Sequence, residues 1–474
     1  MKHHACYLIT VLIAILLFLS RDVLAQAAVQ PSEENPYYWQ YQEKPVLLLG
    51  GSTDDNLFQI SELKQHLSAI ADAGGNYIRN TMSDRSPDGV QPGKGRVVYA
   101  FKEIDSGKFD LNRWNETYWK RFENMLRWTY ERDIIVQIEI WDRFDYSREN
   151  WPPHPYNPQN NINYSYRESG FEPQYPEHPG ANKQPFFFTT PGQDHNKVVL
   201  QYQRKFVDKL LDYTLKYPHV LYCIDNETSG EEAWAVYWAE FIQQRAKQEN
   251  RKVYITEMWD DWDLTQEQHR RTLDHPERFA FVDVSQNNHQ RNETHWQNFH
   301  WVRNYVKEQP RPINNVKIYG ADDGRHGGNN IDAVEKFWRL IFAGAASARF
   351  HRPTSGIGLS ELAVKQLRSA RLFLKEFDIV EADPDPRHDY LVNRDEDEAY
   401  LNYIGQEQFA VYFTDGGEVE LRVPGAQREW HLRWLDITKS QWLESTLLTA
   451  GDTIPLQAPG KGPWLVVVTS KGAQ

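Results

Sequence analysis

The sequence predicts an α/β fold, a (β/α)8 barrel, followed by an all-β sandwich, because the pattern of apolar residues changes once along the chain. Between residues 45 and 375, short apolar runs alternate with longer segments that have the period of an amphipathic helix. Beyond residue 380, the apolar runs are separated only by turn residues, such as Asp415-Gly416-Gly417. The predicted domains are a barrel over residues 26–378 and a sandwich over residues 379–474.

The apolar runs of the first region have the character of parallel strands. Each is short, uninterrupted and rich in Ile, Val, Leu or Tyr, as strands that are buried on both faces are. The eight runs cover residues 45–50, 76–80, 134–141, 220–224, 252–256, 279–284, 315–319 and 348–351.

The segments between these runs predict helices. In the first, Ile60, Leu63, Leu67 and Ile70 fall on one face, and Gly74-Gly75 ends the pattern. Eight strand–helix repeats over about 330 residues match the barrel, which takes ~200 to over 400 residues. An open doubly wound sheet is the alternative, but no Gly-x-Gly-x-x-Gly follows the first strand.

The first 25 residues have the pattern of a cleavable secretory signal. Lys2 precedes an apolar run over residues 7–19, and Val23-Leu24-Ala25 forms the expected cleavage site. The run is shorter than the ~20 residues that span a bilayer, which favours cleavage over an uncleaved anchor. We therefore expect a secreted or periplasmic protein with no stable membrane insertion.

Charge and composition narrow the range of molecules that the protein is expected to bind. The net charge is −13 with no basic block, which argues against nucleic acid. Cys6 lies in the predicted signal, so Cys223 has no partner for an internal disulfide and is expected to be a buried packing residue. Aromatic residues make up 14% of the chain, with 17 Trp, and such flat rings suit a carbohydrate partner. Nothing in the composition fixes the oligomeric state.

The candidate site residues follow the apolar runs, because barrel active sites lie at the carboxyl ends of the strands. Glycoside hydrolysis needs two carboxyl groups beside the glycosidic oxygen, together with groups that hydrogen-bond sugar hydroxyls. The strand ends supply both kinds of group. The candidates for substrate binding are Asp55, Arg79, Asn80, Trp141, Asp142, Asn226, Trp259 and His351. Arg79 and His351 would orient hydroxyls, or a uronate or sulfate group.

Glu227 is the first candidate for catalysis. It follows the fourth apolar run and precedes a helix that begins near Glu231. Apolar surroundings favour the neutral form of a carboxyl, so we expect Glu227 to be the general acid. The alternative is a structural role, because acidic residues are common at helix starts.

The segment over residues 142–196 is too long for a simple connector, since structureless loops beyond ~15 residues are uncommon in compact domains. It follows the third run and is rich in Pro, Asn and Tyr. We expect it to form a wall of the sugar site without taking part in the chemistry.

Two of these motifs resemble a known family. The stretch from Gly74 through Asn76 to Arg79 resembles the second strand of clan A glycoside hydrolases, in which Arg ends a Gly-x-Asn-x-x-Arg sequence. Asn226-Glu227 resembles that clan's pair of Asn and acid/base Glu. With the trailing sandwich, the chain looks like the apiosidase-like hydrolases of that clan. The resemblance implies a barrel enzyme that acts on O-glycosyl bonds.

The chain departs from the clan at the seventh strand, where the clan places its nucleophile Glu. The residues there are Tyr319-Gly320-Ala321-Asp322-Asp323, with no Glu. Asp322 can substitute as nucleophile or base. Glu257 competes for this role, because it follows the fifth run in a segment that is dense in acids and Trp. The other acids of this segment, Asp260 among them, could equally form a cluster at the start of a helix.

No cofactor and no metal are predicted. The acids at the strand ends match no Ca²⁺ loop, and the sequence has no His-x-x-x-His zinc motif. Hydrolysis of a plant or algal glycan is the leading hypothesis. The alternatives are a catalytically inactive sugar-binding barrel, which the absent seventh-strand Glu keeps open, and another sugar-active enzyme such as a polysaccharide lyase.

Overall fold

The structure is a computed structural model that describes residues 28–83, 98–105, 107–321, 327–423, 425 and 427–471. The predicted signal over residues 1–25 lies outside these residues, and so does Asp322. Both stay predictions.

Seven of eight short strands among the described residues overlap the predicted apolar runs, and the seventh, Ile313–Asn314, ends just before its predicted run over residues 315–319. Each pairs in parallel: the second to fifth form one sheet, the sixth pairs with the seventh, and the eighth pairs with the first. A parallel bridge between Ile318 and Phe350 joins the seventh strand to the eighth. The strands are Leu48–Gly51, Tyr77–Thr81, Ile135–Asp142, Val220–Asn226, Ile255–Thr256, Val282–Asp283, Ile313–Asn314 and Ser347–Phe350.

A helix of seven or more residues follows each of these strands, which confirms the predicted alternation and the α/β class. The first begins at Leu63 rather than at Ile60, because Leu57–Gln59 forms a separate 3-10 turn. No helix in the described part of the chain is long and apolar enough to cross a membrane. The helices are Leu63–Asp72, Glu116–Tyr130, Lys197–Thr214, Glu232–Gln248, Glu267–Leu273, Asn292–Tyr305, Asn330–Ala343 and Glu361–Phe373.

The amino-terminal residues pack against the parallel strands. Gln30–Pro31, Trp39–Tyr41 and Lys44–Val46 form a small antiparallel sheet. The Trp39 indole is fully buried, and its Nε1 donates to Asn314 Oδ1 at 2.8 Å. A second small sheet is the hairpin of Phe101–Asp105 and Lys108–Trp114, which comes between the second strand and its helix in the sequence.

The long segment over residues 142–196 consists of short helical turns around an aromatic cluster. Its buried rings belong to the same hydrophobic core as the third and fourth strands. Trp151 is fully buried, donates from Nε1 to the Glu172 carbonyl at 2.9 Å and meets Phe171 edge to face. The turns are Arg143–Tyr146, Arg148–Asn150, Pro158–Asn160, Tyr166–Ser169, Pro179–Ala181 and Pro185–Phe188.

The last quarter of the chain contains two antiparallel sheets with a shared apolar cluster between them. The apolar runs predict strands over residues 390–393, 399–404, 409–413, 419–423, 430–435 and 464–468, but not those near residues 446–457, whose exposed residues interrupt the apolar pattern. One sheet has Leu391–Val392, Glu418–Arg422 and Thr453–Gln457. The other has Asp383–Pro384, Ala399–Ile404, Gln408–Phe413, Arg428–Asp436, Gln441–Trp442, Thr446–Ala450 and Trp464–Ser470.

The larger sheet packs on the helices Asn330–Ala343 and Glu361–Phe373. Trp338 stacks on Tyr412 with ring centroids 5.8 Å apart. Asn402 Nδ2 donates to the Phe342 carbonyl at 2.9 Å. The larger carboxyl-terminal sheet therefore shares a hydrophobic core with the strand–helix repeats.

The packing of Trp151 makes the long segment part of the folding core. We expect Trp151→Ala to lower the free energy of unfolding by about 3–5 kcal/mol, the usual cost of truncating a buried Trp. Ile162→Ala is the control, because Ile162 lies in the same segment with 59% of its surface exposed. Chemical denaturation should show a change of at most about 0.5 kcal/mol for the control. Equal effects would mean that the segment does not pack as core.

Candidate active site

A cavity of about 520 Å³ opens at the carboxyl ends of the parallel strands. Five residues predicted from the sequence line it: Asp55, Arg79, Asn226, Glu227 and His351. Its other lining residues are Phe144, His178, Gly180, Asp260, Trp262, Gln286, His289, Lys317, Tyr319, Arg352, Thr354 and Ser355.

Glu227 lies in the cavity in an unusual backbone conformation. Its φ is 49°, in the left-handed region that non-glycine residues seldom adopt and that is enriched at functional sites. Lys317 Nζ lies 2.6 Å from Glu227 Oε1, and the Tyr319 hydroxyl donates to the same oxygen. Burial favours the neutral acid, but Lys317 and Tyr319 outweigh it and lower the pKa of Glu227 below its ordinary value. The carboxyl is therefore held ionised.

Arg79 connects the ends of the first four strands. Its Nη1 lies 2.6 Å from Asp55 Oδ1, and its Nε lies 2.6 Å from Glu139 Oε1. Its Nη2 donates to Asn226 Oδ1 at 2.9 Å. Asn226 in turn donates from Nδ2 to Asp142 Oδ2 at 3.1 Å. Asp142 thus positions Asn226 without lining the cavity.

Asp55 contacts basic side chains from the second strand and from the residues after the eighth strand. Arg352 Nε lies 2.6 Å from Asp55 Oδ2, and His351 Nδ1 lies 3.5 Å from Oδ1. Burial would raise the pKa of Asp55, but its neighbours, Arg79 foremost, hold the pKa well below the ordinary value. Burial also lowers the pKa of His351 well below the ordinary value, so this ring is neutral near pH 7.

Asp260 is a cavity residue for which the sequence analysis left function and a helix start as alternatives. The backbone holds it beside the Glu227 segment: Thr228 N donates to the Met258 carbonyl at 2.8 Å, and Asp260 N donates to the Thr228 carbonyl at 3.0 Å. Burial, and then the negative charge of Glu227, raise the pKa of Asp260 to about 7. Among the carboxyls of the described cavity residues, Asp260 is the one whose pKa is raised toward neutral pH.

Glu257, the competing candidate from the sequence, is buried and does not line the cavity. Its Oε1 accepts from the backbone N–H groups of Asp225 and Met258, each at 2.9 Å. Burial raises the pKa of Glu257 well above its ordinary value, and the charge of Asp225 raises it further. These bonds tie the fifth strand to the fourth.

Three other predicted residues also lie in the core and not in the cavity lining. Trp141 is packed among the aromatic rings of the long segment and of the helix Glu232–Gln248. Trp259 Nε1 donates to Thr272 Oγ1 at 2.7 Å. Asn80 Oδ1 accepts from the backbone N–H of Phe58 at 3.2 Å. These positions support structural roles.

The segment after the seventh strand contributes two cavity residues that the sequence analysis missed. Lys317 and Tyr319 line the cavity, while Ile318 between them bridges to Phe350 and joins the hydrophobic core. The sequence analysis considered only carboxylates at the end of this strand, and neither Lys nor Tyr is one. Asp322 follows in the part of the chain that is not described, and no group of three or more His, Cys, Asp or Glu in the described part is arranged to bind a metal.

The comparisons with known proteins give the fold. No protein-family model matches the chain, and neither does any curated protein. A solved structure named glycoside hydrolase is similar, with a TM-score of 0.65, 12% identity, and coverage of 95% of this chain and 99% of that one. A family 5 glycoside hydrolase of Bacteroides vulgatus has a TM-score of 0.61, 13% identity, and coverage of 94% of each chain.

A third structure agrees with these two. A putative glycoside hydrolase of Bacteroides vulgatus has a TM-score of 0.59, 11% identity, and coverage of 94% of this chain and 83% of that one. This chain has the fold of these glycoside hydrolases. The similarity extends over nearly the whole chain, which confirms the predicted resemblance in fold.

A substitution at Gly230 tests how the long segment over residues 142–196 is fixed to the Glu227 segment. Arg143 donates to Thr228 Oγ1 at 2.7 Å and to Asn182 Oδ1 at 2.8 Å, and a Cβ at Gly230 would lie 1.9 Å from Arg143 Nη2. We expect Gly230→Ala to displace Arg143 and to destabilise the fold by about 1–3 kcal/mol. Gly192→Ala is the control, because a Cβ there meets ordinary contacts at 3.5 Å. Thermal unfolding that does not separate the two variants would contradict this role of Arg143.

Proposed function

We propose that the protein is a secreted or periplasmic glycoside hydrolase that cleaves O-glycosidic bonds of a plant or algal polysaccharide or oligosaccharide. Its domains are a closed (β/α)8 barrel and a β-sandwich. One observation carries the proposal: the Glu227 and Asp260 carboxyls line one cavity, and their surroundings move their pKa values in opposite directions. Such a pair supplies one carboxylate and one proton donor at the same pH.

Asp260 is the proton donor in this proposal. A pKa of about 7 leaves its carboxyl protonated through the mildly acidic range, where it can protonate the leaving glycosidic oxygen. Glu227 is the carboxylate that attacks the anomeric carbon or activates a water. The sequence predicted Glu227 as the general acid, and the proposal gives that role to Asp260 instead. The general acid must keep its proton, whereas Glu227 is held ionised.

The neighbours of Glu227 fit the role of a fixed carboxylate. Lys317 and Tyr319 both bond to Oε1, and no residue of the described ranges hydrogen-bonds to Oε2. Oε2 is therefore available to the sugar or to a water. Asp322, which the clan resemblance favours as the second carboxyl, remains a further candidate, and Asp322→Asn belongs in the same assays.

The proposal predicts loss of activity when Asp260 loses its proton. We expect Asp260→Asn to lower kcat by about 10²–10⁴-fold on natural glycans, which have poor leaving groups, because the amide cannot donate a proton as an acid does. The measurement is release of reducing sugar from a panel of plant and algal glycans. Asp261→Asn is the control, since Asp261 is the adjacent acid but does not line the cavity. A loss below tenfold for Asp260→Asn would remove Asp260 from the mechanism.

The pH profile gives a second test of the two roles. In the free enzyme, kcat/KM should fall as the pH rises above about 7, because Asp260 loses its proton there. On the acid side, kcat/KM should stay high at pH values below the ordinary pKa of a carboxyl group, because Lys317 keeps Glu227 ionised.

Lys317→Gln separates the charge of Lys317 from its hydrogen bond. Loss of the ammonium should raise the pKa of Glu227, so the acid limb of kcat/KM should move to higher pH. Lys307→Gln is the control, because it removes the same charge from an exposed side chain that does not line the cavity. An acid limb that does not move in Lys317→Gln would rule out Glu227 as the group that titrates there.

A further inference from the structure

Two side chains of the cavity are buried, yet the proposed reaction does not use them. Gln286 is 1% exposed, and both atoms of its amide, Oε1 and Nε2, are without a hydrogen bond from any residue that the structure describes. Ser355 is 5% exposed, and within the same described residues its Oγ has no hydrogen-bond partner. Both line the cavity. An unpaired buried polar group is unfavourable, so a ligand that pairs it gains affinity.

The hydrogen-bonding character of these groups indicates a ligand class. A side-chain amide offers a donor and an acceptor, and a serine hydroxyl offers both on one atom. Sugar hydroxyls also donate and accept, so they match both side chains. An anionic group accepts only, and it would leave the Gln286 oxygen unpaired.

Trp262 adds an aromatic surface to the same cavity. Its side chain is 53% exposed, which is unusual for so large a ring. One face stacks on His289 with centroids 4.0 Å apart and an interplanar angle of 13°. The stack fixes the orientation of the indole and leaves its other face for a ligand. The C–H face of a pyranose ring is an apolar partner of suitable shape.

The cations of the cavity already have carboxylate partners. Arg79 is paired with Asp55 and Glu139, Arg352 is paired with Asp55, and Lys317 is paired with Glu227. A uronate or sulfate group would have to compete with these ion pairs. The cavity therefore offers no excess positive charge from these three side chains to an acidic sugar.

We propose that this cavity binds an uncharged sugar unit, which stacks on Trp262 and hydrogen-bonds through its hydroxyls to Gln286 and Ser355. The proposal deepens the hydrolase proposal by naming the substrate class, but the binding it describes does not depend on cleavage. Of the two alternatives that the sequence left for Arg79 and His351, it keeps the sugar hydroxyls and drops the uronate or sulfate group.

Binding is measured by titration calorimetry on full-length Asp260→Asn protein, which keeps the cavity but not the proton donor. The probes are cello-, manno-, galacto- and xylo-oligosaccharides, set against galacturono- and glucurono-oligosaccharides of equal length. We expect at least one neutral series to bind and the uronates to bind at least tenfold more weakly or not at all.

The binding residues are then changed in the same background. We expect Gln286→Ala to raise the Kd of the best neutral probe by about threefold to tenfold, the worth of ordinary hydrogen bonds. Trp262→Ala should raise it about tenfold or more, and Trp262→Phe should restore part of the loss. Tyr305→Ala is the control, since Tyr305 is an exposed ring that does not line the cavity. In the enzyme with Asp260 intact, the same changes should raise KM more than they lower kcat.

Each result bears on one proposal or the other. Tighter binding of uronates, binding of none of the probes, or a Kd that is unchanged in both Gln286→Ala and Trp262→Ala overturns the neutral-sugar proposal. Binding that depends on Trp262 and Gln286, without cleavage by the enzyme with Asp260 intact, supports the sugar site and overturns the hydrolase proposal.

Discussion

The buried guanidinium of Arg79 is the interaction on which the site depends. Its partners come from the ends of the first, third and fourth strands, while Arg79 itself ends the second. A buried cation is costly unless its donors are paired, and here each nitrogen of the group has an oxygen partner. The arrangement of four strand ends is therefore constrained by one side chain. Asn226, which Arg79 and Asp142 hold from two sides, fixes the start of the turn that carries Glu227.

The turn after the fourth strand then determines which carboxyls meet. Glu227 adopts a positive φ, and the next residue pairs with the fifth-strand segment through the bridge between Thr228 and Trp259. The bridge places Asp260 next to Glu227 with little freedom of the backbone. Backbone strain at one residue is compatible with a stable fold when the surrounding bonds determine it, as the bonds of Asn226 and Thr228 do here.

The sequence predicted the parallel strands well because buried parallel strands are continuous apolar runs, and seven of the eight runs overlap a strand, while the seventh strand ends just before its run. It also identified Arg79, Asn226 and Glu227 from their places at strand ends. It left Asp260 undecided between function and a helix start and did not identify Lys317 and Trp262, because local pattern does not show which side of a loop or strand faces the cavity. Trp141 and Trp259 show the same limit in reverse: they were chosen as aromatic residues at strand ends, but their rings point into the core.

The role of Glu227 depends on what the seventh strand presents to it. A carboxylate there, as in the clan that the chain resembles, would repel a charge on Glu227 and raise its pKa, which suits a general acid. Lys317 does the opposite and keeps Glu227 ionised. Burial raises the pKa of the adjacent Asp260, and the retained charge of Glu227 raises it further. The Asn226-Glu227 pair resembles that clan's motif in a different electrostatic setting, and in the proposed assignment the proton lies on Asp260, which follows the neighbouring fifth strand. The motif alone cannot identify the proton donor, because the charge on the opposite side of the cavity determines which carboxyl keeps its proton.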